Sequence, residues 1–177
     1  MTTIKYIEIK TPLGNMTAAA SRKGVCLLEF NGGERLKNEF EDLKNIFNAG
    51  AKEGSNMHLN LLKKELEEYF GRSRKKFTVS LDIPGSDFQI KVWEQILLIP
   101  YGKTISYKEQ AKTMGNVDAV RAVAHANGQN RVSIIIPCHR VIGWNGRLVG
   151  YGGGLWRKKW LLDFEKGITA NQPGLFN

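Results

Sequence analysis

The sequence predicts a mixed α/β (α+β) chain of two units. A small N-terminal domain of sheet plus helices spans residues 1–85, and a mostly helical C-terminal domain with a helix-turn-helix spans 86–177. Three observations predict it. Short runs of strand character separated by Pro, Gly and Asn fill the first thirty residues, two segments of helical period follow, and Pro84-Gly85 closes that half. Beyond that pair, helix caps recur at short intervals across tight turns. The charge also shifts. Residues 1–85 hold 14 basic and 11 acidic side chains, whereas 86–177 hold 12 and 6, within a formal total of +9. The excess suggests an anionic partner without identifying one, and plain solubility is the alternative.

The elements follow in order. Lys5 to Lys10, Met16 to Ala20 and Val25 to Phe30 read as strands of a small antiparallel sheet. Glu34 to Phe47 and Met57 to Phe70 read as helices joined by a Gly-containing polar loop. Ser86 caps a helix carrying Phe88, Val92, Trp93, Ile96 and Leu97 on one side, stopped by Pro100. Ser106 with Glu109 is a capping box opening a second helix that ends near Gly115. Asn116 caps a third, Val117 to about Asn127, and these two short helices make the helix-turn-helix outline. The apolar run Val132 to Ile136 reads as a strand, a turn falls at 144–146, and Leu155 to Glu165 is a last amphipathic helix.

Composition bounds the class. With 42% hydrophobic and 24% charged residues, 177 residues sustain a real core, which excludes disordered, collagenous and disulfide-rich classes. No 18 apolar residues run together, and MTTIKYIEIKTPLG alternates without the apolar stretch of a signal peptide. The expectation is a soluble intracellular protein with no membrane partner.

Only two cysteines occur, Cys26 and Cys138. Cys26 lies in Val-Cys-Leu-Leu, where the thiol packs as a small hydrophobe. Cys138 follows a proline and precedes His139 and Arg140, both able to favour a thiolate. A free thiol of pKa ~8.5 is only a few per cent ionised near neutrality, so a nucleophilic cysteine needs such neighbours. Consecutive side chains of an extended segment point apart, so His139 serves Cys138 only if the chain turns or a water bridges them. A third group must then fix the imidazole tautomer. Asp163 has Lys159 and Lys166 at helical spacing, the pattern of a solvated face, whereas Glu165 has Leu161, Leu162 and Ile168. Glu165 is therefore chosen. No metal is expected: there are three His, no Cys-x-x-Cys and no His pair at helical spacing. The alternative is an ordinary strand end with a surface acid.

Ile136-Pro137-Cys138-His139-Arg140-Val141-Ile142-Gly143, Gly150-Tyr151-Gly152-Gly153-Gly154-Leu155-Trp156-Arg157-Lys158 and Leu161-Leu162-Asp163-Phe164-Glu165 closely resemble the O6-alkylguanine-DNA alkyltransferases, the methylated-DNA–protein-cysteine methyltransferases. The likeness extends back through Val92-Trp93, Pro100-Tyr101-Gly102, Ile105-Ser106-Tyr107 and Arg121-Ala122-Val123. It implies a ribonuclease H-like first domain, a winged-helix-like second domain, no cofactor, and action as a monomer in the cytoplasm, or the nucleus of a eukaryote. The implied partner is double-stranded DNA carrying O6-alkylguanine, with O4-alkylthymine a further candidate substrate. Cys138 would take the alkyl group irreversibly and stoichiometrically, with Glu165, His139 and a water activating the thiol. Tyr107 would donate a proton to the leaving guanine and lie against the phosphate that rotates. Asn130 would brace the turn.

The damaged base must be flipped out of the duplex. The resemblance assigns Arg121 to the vacated stack. Ala119, Ala122, Ala124 and His125 share its helix, which enters the minor groove in this family. Val141, Tyr151, Gly152 and Gly153 would form the guanine pocket. Trp93, Trp156 and Trp160 are read as core, and Arg147, Lys158 and Lys159 as phosphate contacts or a solvated face. The chain departs from the family pattern at Ala124, where Gly is usual, at His125, at Gly152, and at Arg131, where Pro is usual, a change expected to loosen the turn below Cys138. Two alternative functions are a sensor that binds alkylated bases without transfer, which Cys138 argues against, and a turnover Cys-His hydrolase.

Overall fold

The computed structural model describes residues 2–168. The chain forms β1 (Thr2–Thr11), β2 (Gly14–Ala20), β3 (Val25–Phe30), α1 (Glu34–Ile46), β4 (Ala49–Glu53) and α2 (Met57–Phe70). There follow α3 (Asp87–Leu97), β5 (Ile105–Ser106), α4 (Tyr107–Thr113), α5 (Val120–Gly128), β6 (Val141–Ile142) and α6 (Leu155–Glu165), with 3-10 turns at Val117–Ala119 and Cys138–Arg140. Two compact units result. The first holds the chain up to Pro84 together with Arg131–Ser133, and the second holds Gly85–Asn130 and the chain from Ile134 onward. No helix among the described residues is long and apolar enough to cross a membrane.

In the first unit the sheet order is β3-β2-β1-β4. β1 and β2, and β2 and β3, pair antiparallel, while β4 runs parallel to β1. β4 lies in the segment read from sequence as a loop. Ala-Gly-Ala-Lys-Glu has no β-branched or aromatic residue, so pairing with β1, not propensity, makes it a strand. Every residue of β3 is buried, and its free edge is covered by single bridges from Val25 to Leu81 and from Leu28 to Val132. Ile4, Ala19, Cys26, Leu27 and Leu43 form the core here. Glu65, fully buried on α2, accepts from Thr78 N, Thr78 Oγ1 and Val79 N and pairs with Arg74, pinning the 74–79 segment.

In the second unit, α3 begins at the expected N-cap Ser86, which forms a capping box with Gln89, and α4 begins with the expected capping box of Ser106 and Glu109. Val92, Trp93 and Ile96 are buried; Phe88 and Leu97, expected beside them, are exposed, because the inward stripe of α3 is narrower than its apolar content. Asn116 caps a 3-10 turn that passes into α5. A buried amide chain ties three helices: Asn127 Nδ2 donates to Gln110 Oε1 (2.8 Å) and Val123 O, and Gln110 Nε2 donates to Val92 O. Trp93 Nε1 donates to Ala126 O (2.9 Å), bringing α3 and α5 together. Parallel pairing of β5 with β6 sets Ser106 opposite Ile142. The chain leaving the Cys138–Arg140 turn thus runs beside the chain entering Tyr107.

The run Val132 to Ile136 is not a strand. Only Val132 bridges, and the chain then turns at Ile134, whose φ of 73° is a costly conformation for a β-branched residue. All five side chains are buried, so the apolar run fills the interior around a bend.

Candidate active site

Three pieces of local geometry place Cys138. Its N–H donates to Ile136 O (2.8 Å) across Pro137, a tight inverse-γ-like turn, and Arg140 N donates to Pro137 O (2.9 Å). Asn130 Nδ2 donates to Ile136 O (2.8 Å) and to Cys138 Sγ (3.2 Å). Asn130 is buried and Cys138 half-buried, so the thiol is held and still reachable. The chain turns at Cys138 instead of continuing extended, so Cys138 and His139 do not follow the alternation of a strand.

His139 is fully buried, and its Nε2 lies 2.8 Å from Glu165 Oε1. Glu165 also accepts from Arg140 Nη2 at Oε1 (2.9 Å), and from Arg140 Nε (2.9 Å) and Gly102 N (3.0 Å) at Oε2. Gly102 has φ 74°, and a Cβ there would lie 3.1 Å from Glu165 O, so glycine suits this approach. Burial alone would push the Glu165 carboxyl up, but His139 and Arg140 together hold it well below the usual carboxylate range. Glu165 is thus an ionised acceptor, which obliges His139 Nε2 to carry the proton. Nδ1 is then the basic nitrogen, and it is buried with no hydrogen-bond partner among the described residues. Burial holds the His139 imidazole below its ordinary pKa despite Glu165, so it rests neutral.

The structure therefore sets Glu165 against His139, while Asp163 pairs with Lys159 (2.5 Å) on the outside of α6. Arg140 does not flank the thiol as its sequence position suggested. Its guanidinium is taken by Glu165 and by Ile99 O (2.6 Å).

The cation near Cys138 is Lys158, read from sequence as a surface lysine. It is fully buried, and its Nζ donates to Val149 O (2.9 Å), Gly150 O (3.1 Å) and Tyr107 Oη (3.3 Å). Burial brings its pKa down to about 8, opposed by the charge of Cys138. Tyr107 Oη donates to Val149 O (3.1 Å), and its pKa is pushed up to about 12, by burial first and then by Cys138. The signal for Lys158 was present: it shares the helical spacing of Leu161, Leu162 and Glu165, the buried face of α6.

Of the other expected site residues, Val141 is buried on β6, Tyr151 is half-buried, Gly152 exposed and Gly153 buried. On α5, Arg121, Ala122 and His125 are exposed and Ala124 is half-buried, as is Ala119 just before the helix. Arg121 makes no ion pair or side-chain hydrogen bond among the described residues. Trp93 is core as expected, whereas Trp156 is 48% exposed and stacks under Arg157. Among the described residues no group of three or more His, Cys, Asp or Glu could hold a metal.

Known proteins are similar to this chain over nearly its whole length. Residues 4–83 match the 6-O-methylguanine DNA methyltransferase ribonuclease-like domain, and residues 87–167 match the DNA binding domain of the same name. The methylated-DNA–protein-cysteine methyltransferase of Mycobacterium tuberculosis is 41% identical over 176 residues, covering 98% of this chain and 99% of its own. The chain belongs to this family of O6-methylguanine methyltransferases. The family's member in Methanosarcina barkeri is 38% identical over 164 residues, covering 91% and 96%. The crystal structure of the M. tuberculosis O6-methylguanine methyltransferase superposes with a TM-score of 0.78 at 37% identity over 98% of this chain and 99% of that one. A structure of M. tuberculosis OGT in complex with DNA gives 0.77 at 35% identity, over 96% of both chains. The fold is thus the methyltransferase family's, with a small N-terminal sheet-and-helix domain followed by a helical one.

Proposed function

We propose that this methyltransferase repairs DNA by moving the alkyl group of O6-alkylguanine onto Cys138, once per molecule. The observation that carries the reading is the half-buried Cys138 thiol held beside a neutral, buried histidine whose tautomer Glu165 fixes. His139 Nδ1 takes the thiol proton through a bridging water, which satisfies the unpartnered ring nitrogen. The thiolate attacks the alkyl carbon, forming the S–C bond as the C–O6 bond breaks and its electron pair passes to guanine. Tyr107 then gives guanine a proton. Its own raised pKa makes it a weak donor, and Lys158, hydrogen-bonded to it, restores the proton from an ammonium of pKa about 8. Asn130, by donating to Sγ, aims the nucleophile. The product thioether has no ready route back to a thiol, so each chain works once.

DNA meets the α5 surface. Ala119, Ala122 and Ala124 keep it slender enough for the minor groove, His125 lies on the same helix, and Arg121, with no side-chain partner among the described residues, fills the stack left by the flipped base. The freed guanine sits against Val141, Tyr151, Gly152 and Gly153.

The test is intact and peptide mass after incubation with duplex DNA containing O6-methylguanine. One methyl group on the Cys138 peptide, one event per chain, is the expected result. Multiple turnover, or label on Cys26, refutes it.

A further inference from the structure

Trp144 is 82% exposed, more than any other large apolar side chain among the described residues, and its indole makes no hydrogen bond or ring contact among them. A single exposed apolar side chain is ordinary; the placement of this one is not. It sits on a closed turn. Gly143 N donates to Arg147 O (2.8 Å), Gly146 N to Gly143 O (3.0 Å), and Arg147 N to Asn145 Oδ1 (3.1 Å). A Cβ at residue 143 would crowd Arg147 O at 3.0 Å, so glycine suits the closure. The indole is thus held out in water by a hydrogen-bonded turn.

Both ends of this turn are fixed within the second unit, at the site itself. On one side the Cys138–Arg140 turn leads directly into β6, where Ile142 pairs with Ser106, the residue before Tyr107. Trp144 lies two residues beyond Ile142, no more than about 7 Å of chain. On the other side Val149 O accepts from Tyr107 Oη (3.1 Å) and Lys158 Nζ (2.9 Å), and Gly150 O accepts from Lys158 Nζ (3.1 Å). Trp144 therefore stands on the rim of the site, and exposed Arg147 and Val149 belong to the same stretch. An indole face, an indole N–H and a guanidinium suit one kind of occupant, a deoxyribose with its phosphates. The face covers the apolar edge of the sugar, and the N–H and guanidinium donate to phosphate oxygens.

We propose that Trp144 is a specificity-determining DNA contact: its indole packs on the sugar and phosphate of the alkylated nucleotide as that nucleotide swings out toward Cys138, and so favours the extruded state. The inference rests on the reading of Cys138 as the acceptor of an alkyl group from a flipped base. A stacked nucleotide keeps its backbone in the duplex, whereas extrusion rotates it toward the site. A contact made only after that rotation offsets part of the unstacking cost, and it favours damaged over normal DNA because the damaged pair opens more readily.

The experiment measures affinity in a Cys138→Ser background, which leaves the lesion unconsumed, for two duplexes differing only in guanine or O6-methylguanine at one position. Trp144→Ala is expected to raise Kd roughly tenfold for the lesion duplex and about threefold or less for the unmodified one. Trp144→Phe should recover part of the loss, since it keeps an aromatic face. Melting temperatures should match, because so exposed a side chain adds little to the fold. The difference in emission between the Trp144 and Trp144→Phe chains isolates this indole, and the lesion duplex should protect it from acrylamide quenching. Equal losses on the two duplexes, a lesion-duplex Kd within about twofold of the Trp144 chain's for Trp144→Ala, or an indole that stays open to acrylamide overturns the inference alone. Absence of alkyl on Cys138 in the native chain overturns the reading of the site, and this inference with it.

Discussion

Replacing Glu165 by Gln keeps the side chain's shape and exchanges one acceptor oxygen for an NH₂ group. In the native site Oε1 accepts from His139 Nε2 and Arg140 Nη2, and Oε2 accepts from Arg140 Nε and Gly102 N. An NH₂ on the Oε2 side would face two donors that can never accept. On the Oε1 side it faces Arg140 and His139, and His139 alone can become an acceptor, by moving its proton to Nδ1. The expected outcome is therefore an inverted tautomer that removes the proposed base, Nδ1. General-base assistance contributes about 10²–10⁴-fold, so transfer should slow by that factor. The substitution also strips the buried Arg140 of its counter-ion, which costs about 3–5 kcal/mol, or roughly 6–20 °C in Tm for a chain of this size. Single-turnover transfer, ¹⁵N shifts of the His139 ring and thermal melts read the three effects separately. A folded Glu165→Gln protein transferring within about threefold of the native rate would refute the reasoning. So would ¹⁵N shifts that leave Nδ1 unprotonated.

Further outcomes are expected elsewhere. Lys158→Met should slow transfer at least tenfold or so and abolish a fall in rate as pH rises through about 8, where the native ammonium loses its proton; a native profile in the variant excludes the proton-supply role. Iodoacetamide near pH 8 should label Cys138 in the folded protein and spare Cys26, whose thiol burial and the charge of Asp82 push up to about 12; peptide mapping before and after unfolding checks this. Thermal stability should drop on acidification. His139 and Glu165 both bind protons less readily folded than unfolded, so their contribution is full above the ordinary histidine and carboxylate ranges (6.5 and 4.5) and is lost below them, first for His139; a pH-independent Tm from 7 to 4 contradicts it. Arg121→Ala should slow repair of a paired duplex roughly tenfold and affect a single-stranded lesion much less, because flipping costs a few kcal/mol only where the base is stacked and paired. Equal losses on both substrates would assign Arg121 to plain phosphate binding.

What was legible in the sequence was whatever local rules decide. α2 and α6 begin and end where helical period places them, the Ser86 N-cap holds, and the capping box of Ser106 and Glu109 forms as read. β4 was not legible, because Ala49 to Glu53 becomes a strand only through its parallel neighbour. The run Val132 to Ile136 misled for a different reason. Burial on all sides makes a bend as apolar as a strand, and only backbone geometry tells them apart. At the site, the pairing of Glu165 with His139 follows from its place on the buried stripe of α6. Lys158 lies on that same stripe and was passed over because lysine is so seldom fully buried. Arg140 was judged by sequence adjacency, which says nothing about direction across a 3-10 turn.

Under the mechanism proposed above, the charge of the site through the reaction gives a reason for its many buried ionisable groups. At rest Glu165 and Arg140 cancel, His139 is neutral, and Lys158 supplies the one positive charge. Moving the thiol proton to His139 leaves the sum unchanged, since the thiolate and imidazolium cancel. Alkyl transfer then turns the thiolate into a neutral thioether and places the negative charge on guanine. Proton supply from Lys158 through Tyr107 neutralises guanine, so the positive charge now resides on His139, against Glu165. No step changes the net charge of a low-dielectric interior, which would otherwise cost several kcal/mol per uncompensated ion. In the proposed mechanism His139, paired with Glu165, receives a proton and Lys158, hydrogen-bonded to Tyr107, supplies one. That pairing accounts for Lys158 being as deeply buried as His139.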